Sequence, residues 1–307
     1  MIMQCRLLAA AGVAILASGA QAADLGYKAP PPAPMLARGP AVDGVNGKFE
    51  GFGGWSDWRN HWARRGNFSG GFLASVTAPL GSSFGVQVDT LTASHRGSFV
   101  GGGGGHVFWR DPEVGLIGAY GAVVRNNWMN DTRFRVGGEG AYYFGRFSAT
   151  AVVGYEEGSS TTVANPFFVT PNIVGFNFLP NRGRVFDMVD FNFYATQNIK
   201  FSVGHRYIGG RHAASIGGES LIWNLGEAML SGFVEGRVGE SDYKAAWAGL
   251  RLYFGQSDKT LMARHRQDDP PNWLKDDMFA AQNAHRVGAL VSAPAAAPPI
   301  EEPPPVD

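Results

Sequence analysis

The chain has 307 residues, with 26 basic and 26 acidic side chains balancing to a formal net charge of zero. That balance argues against electrostatic binding of nucleic acid. The single cysteine, Cys5, excludes a disulfide scaffold, so the fold must hold by burial and backbone bonding alone.

The N-terminus reads as a secretory signal over residues 1–22. Arg6 is its only charge, Leu7–Ala20 is an apolar stretch, and Ala20-Gln21-Ala22 is a small-x-small cleavage pattern. The apolar stretch falls short of the roughly 20 residues that a spanning helix needs, which disfavours the alternative of a retained anchor. Cys5 lies inside the signal, so the mature chain would contain no cysteine. Residues 23–46 follow as a linker, with KAPPPAP favouring extended polyproline II.

Residues 47–255 form a body dense in glycine and aromatics, in which short segments alternate apolar and polar side chains one by one. In Thr132–Phe144, one face carries Phe134, Val136, Tyr142 and Phe144, and the other carries Arg133, Arg135, Glu139 and Tyr143. A period of two places neighbours on opposite sides of a strand. Twelve strands are predicted, near 48–57, 68–78, 84–94, 98–109, 114–126, 132–144, 147–157, 185–196, 200–209, 214–224, 232–239 and 244–255. Those at 98–109 and 214–224 are the weakest. Gly101–Gly105 breaks the alternation there, which leaves ten strands as the alternative.

The predicted connections fall into two classes. Tight ones lie at Ala78–Ser82, Arg110–Glu113, Gly145-Arg146 and Gln197–Ile199; longer polar ones lie at Arg59–Asn67, Asn126–Asp131 and Gly158–Arg184. Outer-membrane barrels have short periplasmic turns and longer external loops, whereas a soluble sandwich has no reason to sort its connections. The fold class expected is therefore all-β, an antiparallel transmembrane β-barrel of twelve strands. The tail, residues 256–307, is expected to be periplasmic, with a short helix near Met278–Leu290 and a proline-rich end.

The two faces of the predicted barrel differ in what they omit. The outward face carries Phe84, Val86 and Val88, then Phe147–Val153, Val189–Phe193 and Ala246–Leu252 at alternate positions, free of Lys and Arg. A lysine or arginine at mid-membrane would cost about 2–4 kcal/mol. Aromatics gather at strand ends (Trp55, Trp58, Trp109, Trp128, Tyr142, Phe144, Tyr155, Phe254), as an interfacial girdle requires. The lumen-lining candidates are Lys48, Glu50, Gln87, Asp89, Arg125, Arg133, Arg135, Glu139, Asp190, Asn192, Arg206, Glu235, Arg237 and Arg251. These mixed charges either line a narrow, weakly selective pore or pair into a network that plugs it.

The signal followed by ADLGYKAPPPAP, with NGKFEGFGGW opening the first strand, resembles small outer-membrane barrel and porin-like surface proteins of alphaproteobacteria. The last strand, WAGLRLYF, is similar to the signal read by the barrel-assembly machinery, with Gly249, Leu252 and Phe254 matching and Trp247 departing from the usual polar residue. The resemblance implies outer-membrane lipid and lipopolysaccharide as surroundings. Family barrels end on that aromatic, whereas this chain continues, which suggests either a disordered appendage, as its composition favours, or a tether to the cell wall or a periplasmic protein.

No motif assigns catalysis, cofactor or metal. Gly101–Gly105 lacks the GK[ST] ending of a phosphate loop and reads as a place where a strand bends or approaches something in the lumen. His95, His106, His205 and His212 have no metal-ligand spacing. GHRYIGGRH (Gly204–His212) lies near the outer rim and reads as an interfacial cluster touching headgroups. The aromatic connection Gly158–Arg184 reads as a lid or constriction. The expected function is a narrow passive pore or structural surface protein. The alternatives are a barrel enzyme acting on lipid or peptide at the outer leaflet, and a soluble periplasmic β-sandwich that binds a ligand.

Overall fold

The computed structural model describes residues 39–292 apart from 58, 61–62, 65–66, 96, 128–130, 160–166, 171–172, 179–182, 225–226, 241, 256–258, 277 and 279–286. The predicted signal, most of the linker, Trp58, Trp128 and the chain after Ser292 lie outside the described residues.

Alternating sequence becomes alternating burial in twelve long strands: β1 (Asn46–Asp57), β2 (Asn67–Leu80), β3 (Phe84–His95), β4 (Ser98–Asp111), β5 (Gly115–Asn126), β6 (Asp131–Phe144), β7 (Phe147–Gly158), β8 (Arg184–Thr196), β9 (Ile199–Ile208), β10 (Arg211–Asn224), β11 (Ala228–Gly239) and β12 (Tyr243–Phe254). Each pairs antiparallel with its neighbours in sequence, and β12 returns to β1 from Gly47↔Phe254 to Asp57↔Lys244. The sheet closes, so no edge strand is left to pair elsewhere. Closure bears out the expected twelve-strand barrel and removes its two alternatives. There is no two-sheet sandwich, and the ten-strand count fails because Gly101–Gly105 stays in the ladder, from Thr92↔Gly101 to Val88↔Gly105. A ladder needs backbone bonds rather than alternating side chains, which is why the glycine run misleads a reading by pattern.

One end of the ring carries the turns Gly81–Ser83, Pro112–Val114, Gly145-Arg146 and Gln197-Asn198 and the connection between β10 and β11, together with the ends Asn46 and Phe254. Gly145 takes the left-handed φ of 55° that its two-residue turn requires. The opposite, loop end carries the longer connections 58–66, 127–130 and 159–183. Three further connections there, 96–97, 209–210 and 240–242, are as tight as the turns, so the predicted sorting holds for only half of that end.

The outward face is apolar. Ile117 is 66% exposed, Val136 63%, Ile216 64% and Val234 60%, and Tyr142, Phe144 and Phe147 stack in sequence near the turn end. A strand of twelve residues tilted near 45° rises about 28 Å, close to the thickness of a bilayer core.

The interior is where the described structure departs most from expectation. Ala41 and Val42, assigned to the linker, are fully buried at the turn end, with Val42 packed on Phe108 and Leu116. The tail does not stand apart from the barrel. It forms α1 (Leu261–Gln267) at the turn end and a short 3-10 turn, Leu274–Asp276, between the walls. The helix expected near Met278–Leu290 falls partly on residues outside the described set, and Val287–Ser292 is a strand. Among the described residues no helix is long and apolar enough to cross a membrane.

Candidate functional site

The lumen begins as a wall of charge. Arg251 on β12 donates to Glu50 on β1 (2.6 Å), Glu219 on β10 (2.5 Å) and Glu235 on β11 (3.0 Å). Arg206 on β9 donates to both oxygens of Asp190 on β8 (2.9 and 2.8 Å). On the other side, Thr77 donates to Gln87 (2.8 Å) and Gln87 to Asp89 (2.9 Å). His106 then bridges Asp89 and Glu139 through its two ring nitrogens (2.9 and 2.8 Å). Nearer the loop end, Arg135 donates twice to Glu156 at 3.1 Å.

The structure therefore places Lys48, Glu50, Gln87, Asp89, Arg133, Arg135, Glu139, Asp190, Asn192, Arg206, Glu235, Arg237 and Arg251 on the inward face. Arg125 is the correction. Tyr120 and Val124 set the inward parity of β5, so Arg125 shares the outward face with Val123, which is 40% exposed. It sits one residue from the end of its strand, where it donates to Asn127 and Thr132 (both 3.2 Å). There a long side chain reaches the rim with its charge outside the apolar band.

The tail completes the wall. α1 caps the turn end, starting from Thr260, whose hydroxyl accepts from the Ala263 amide at 3.3 Å. The Leu261 amide donates to Asn198 (3.0 Å), and Arg266 donates to the carbonyls of Gly145 (2.8 Å) and Phe147 (2.9 Å). Arg264, fully buried, donates to the carbonyls of Gly255, Gly47 (3.0 Å) and Phe254 (2.9 Å), which fastens the seam between β1 and β12.

His265 lies between Tyr253 and Tyr194, each at 3.0 Å. Tyr253 gives its proton to Glu219 (2.7 Å), so His265 Nε2 donates to Tyr253 and Nδ1 accepts from Tyr194. That neutral tautomer fits the environment: burial, aided by Lys200, holds the imidazole well below its usual range against the pull of Glu219.

Beyond α1 the chain goes deeper. Asn272 donates to Ser75 (3.1 Å), and the next residues split by chemistry. Trp273 joins Tyr120, Val152, Phe186, Met188 and Ile208; Leu274 and Met278 join Leu73, Leu91, Val100 and Val124. Lys275 donates to Glu50 (2.6 Å) and Glu235 (2.9 Å). Asp276 accepts from Arg206 (3.0 Å) and from Arg237 (3.1 and 3.2 Å). Two adjacent residues of opposite sign thus meet two wall patches of the complementary sign.

The glycine run makes the room. Gly104 faces inward, and a Cβ there would stand 3.3 Å from Leu274 Cδ2. A cavity of about 150 Å³ remains between tail and wall, space for about five waters.

Among the described residues no group of three or more His, Cys, Asp or Glu side chains is placed to hold a metal ion. The GHRYIGGRH patch divides between the two faces near the loop end: Arg206 and Ile208 point inward, and His205, Tyr207 and His212 point outward. Asp187 contacts His205 (2.7 Å), His205 contacts His212 (3.0 Å), and His212 stacks on Tyr207. On the wall, prediction missed Glu156 and Glu219, and in the tail it missed Arg264, His265, Lys275 and Asp276. The signal of the tail residues was a dense run of charge and tryptophan, RHRQDDPPNWLKDD, right after the last strand.

No protein-family model and no curated protein matches the sequence. Among solved structures, the chain is similar to the translocator domain of the autotransporter NalP from Neisseria meningitidis, at 9% identity, 69% and 88% coverage of the two chains and a TM-score of 0.46. It is also similar to the COG4313 outer membrane channel from Pseudomonas putida F1 (11%, 72% and 98%, 0.44) and to the Acinetobacter baumannii outer membrane protein Omp33 (12%, 69% and 100%, 0.36). At these identities and scores the likenesses carry no argument, and the barrel rests on its own closed register.

Proposed function

We propose that this chain is an outer-membrane β-barrel, a porin-like structural surface protein whose passage is shut by its own tail. The observation that carries the reading is the pair Lys275 and Asp276, which meets Glu50, Glu235, Arg206 and Arg237 inside the ring. The apolar outward face and its aromatic ends support the membrane setting, because water does not sustain so continuous an apolar surface. Lipid and lipopolysaccharide then surround the barrel, and the assembly machinery reads β12. The Asp187–His205–His212 patch fits contact with headgroups, and no turnover is assigned to it. A tether to the cell wall finds no support in a tail that turns inward.

Planar-bilayer recording of the refolded, signal-free protein tests the reading. The intact protein is expected to stay silent, whereas protein truncated after Gly255 gives discrete, reproducible steps. Equal conductance from the two would overturn the plug.

A further inference from the structure

The tail's successive partners lie progressively farther along the barrel. α1 bonds the turn end, at Gly47, Gly145, Asn198 and Phe254. Asn272 and Lys275 meet residues farther in, Ser75 and Glu50. Trp273 and Met278 reach Ile208, Val100 and Val124, which lie at or near the loop ends of β9, β4 and β5. Val287–Ser292 then pairs antiparallel with Ile173–Phe178, from Ile173↔Ser292 to Phe178↔Val287. Ile173–Phe178 belongs to the connection between β7 and β8, at the loop end, and also pairs with Phe167–Thr170. The nine steps from Met278 to Val287 can cover about 30 Å when extended, which suffices to leave the lumen. A chain that turned back to the turn end could not make this pairing.

We infer that the barrel carries its own C-terminal segment through the lumen: the chain beyond Met278 leaves at the loop end and is held on the outer face of the membrane by strand addition to the β7–β8 connection. Such addition relies on backbone bonds and does not require a particular side-chain match. The consequence is display. The proline-rich, acidic stretch APAAAPPIEEPPPVD, which follows the added strand in sequence, is presented to the outside of the cell. The inference rests on the outer-membrane reading above and on its orientation, with the turn end toward the periplasm.

The only cysteine of the sequence is in the predicted signal, so introduced cysteines are read against a clean background. Gly175 and Leu290 are direct partners in the register. The double variant Gly175→Cys/Leu290→Cys is expected to form, under a mild added oxidant, a cross-link that changes gel migration and is reversed by reductant. Separately, Ala297→Cys is expected to react with a membrane-impermeant maleimide in intact cells to the same extent as after permeabilisation. Ser83→Cys, in an exposed turn of the opposite end, should react only after permeabilisation.

Absence of the cross-link, or of Ala297→Cys labelling in intact cells, overturns the proposal when the protein keeps heat-modifiable migration. So does labelling of Ser83→Cys in intact cells. The bilayer recordings fail or succeed independently of these outcomes. A tail that plugs but returns to the periplasm would leave the intact protein silent while Ala297→Cys stays unreachable.

Discussion

Lys275 and Asp276 make their ion pairs where little water remains: their side chains are 6% and 7% exposed. Removing one partner of such a pair leaves a buried charge uncompensated, at a cost of about 3–5 kcal/mol. Asp276→Ala leaves Arg206 with Asp190 alone and Arg237 with Glu235 alone, and removes the tail's bond to both, so the plug is expected to dissociate intermittently. Flickering conductance in bilayers, against silence for the intact protein, would register this. The adjacent swap Lys275→Asp/Asp276→Lys should open the barrel more fully, because both charges then face their own sign.

His265 sets a pH dependence of the opposite end. Its folded-state pKa lies below the unfolded value, so the unfolded chain takes up the proton first as the pH falls. The stability it contributes is present above about pH 6.5 and is lost progressively as acidity increases below it. His265→Gln keeps a donor and an acceptor for Tyr253 and Tyr194 without titrating. The unfolding temperature of the wild type is therefore expected to fall more steeply than that of His265→Gln between pH 7 and pH 5. Parallel curves would contradict the neutral tautomer.

At the scale of elements, β4 shows what a run of glycine is for. Gly102 and Gly104 point inward; Val124 of the neighbouring strand crowds the first, and Leu274 occupies the space that a side chain at Gly104 would otherwise fill. Gly104→Phe keeps every backbone bond of the strand but fills that space, so the barrel is expected to assemble normally and conduct. Normal heat-modifiable migration with bilayer silence would show that the plug seats elsewhere. The same element shows the limits of pattern. The twelve strands and their two faces were legible because alternation is a local property, written afresh in each segment. β4 was read as weak because glycine carries no alternation, although the sequence did suggest a close approach within the lumen.

The charge of Arg125 points to the inside and the parity of Tyr120 and Val124 to the outside, and near a strand end charge is a poor guide to facing. The tail was not legible at all. Its charges look like those of any solvated appendage, and only the ring brings Glu50, Glu235, Arg206 and Arg237, far apart in sequence, around residues 275 and 276. A complement assembled from four separate strands has no local signature.

For the molecule as a whole, the tail both packs between the walls of the ring and fastens its seam. Arg264 ties the carbonyls of Gly47, Phe254 and Gly255, where the first strand meets the last. Leu261, Trp273, Leu274 and Met278 are at most 3% exposed, and each such burial contributes roughly 1.5–3 kcal/mol. Protein truncated after Gly255 should therefore still close, because β1 and β12 keep their own ladder, but unfold at a lower temperature than the intact chain. A covalent tail holds its plug at an effective concentration near millimolar, so a separate peptide must be supplied at comparable levels to replace it. A peptide of residues 256–292 added to the truncated barrel in a bilayer is expected to block it in a sided manner. α1 docks on Asn198, Gly145 and Phe147 at the turn end, and a chain entering from that end can lead with its unfolded C-terminal part. Entry from the loop end would have to thread the charged segment Arg264–Asp269 past the charged wall before α1 could form on its docking site. Block from the turn-end chamber alone therefore ties direction to the docking of α1, and equal block from both chambers would show that the helix does not set it.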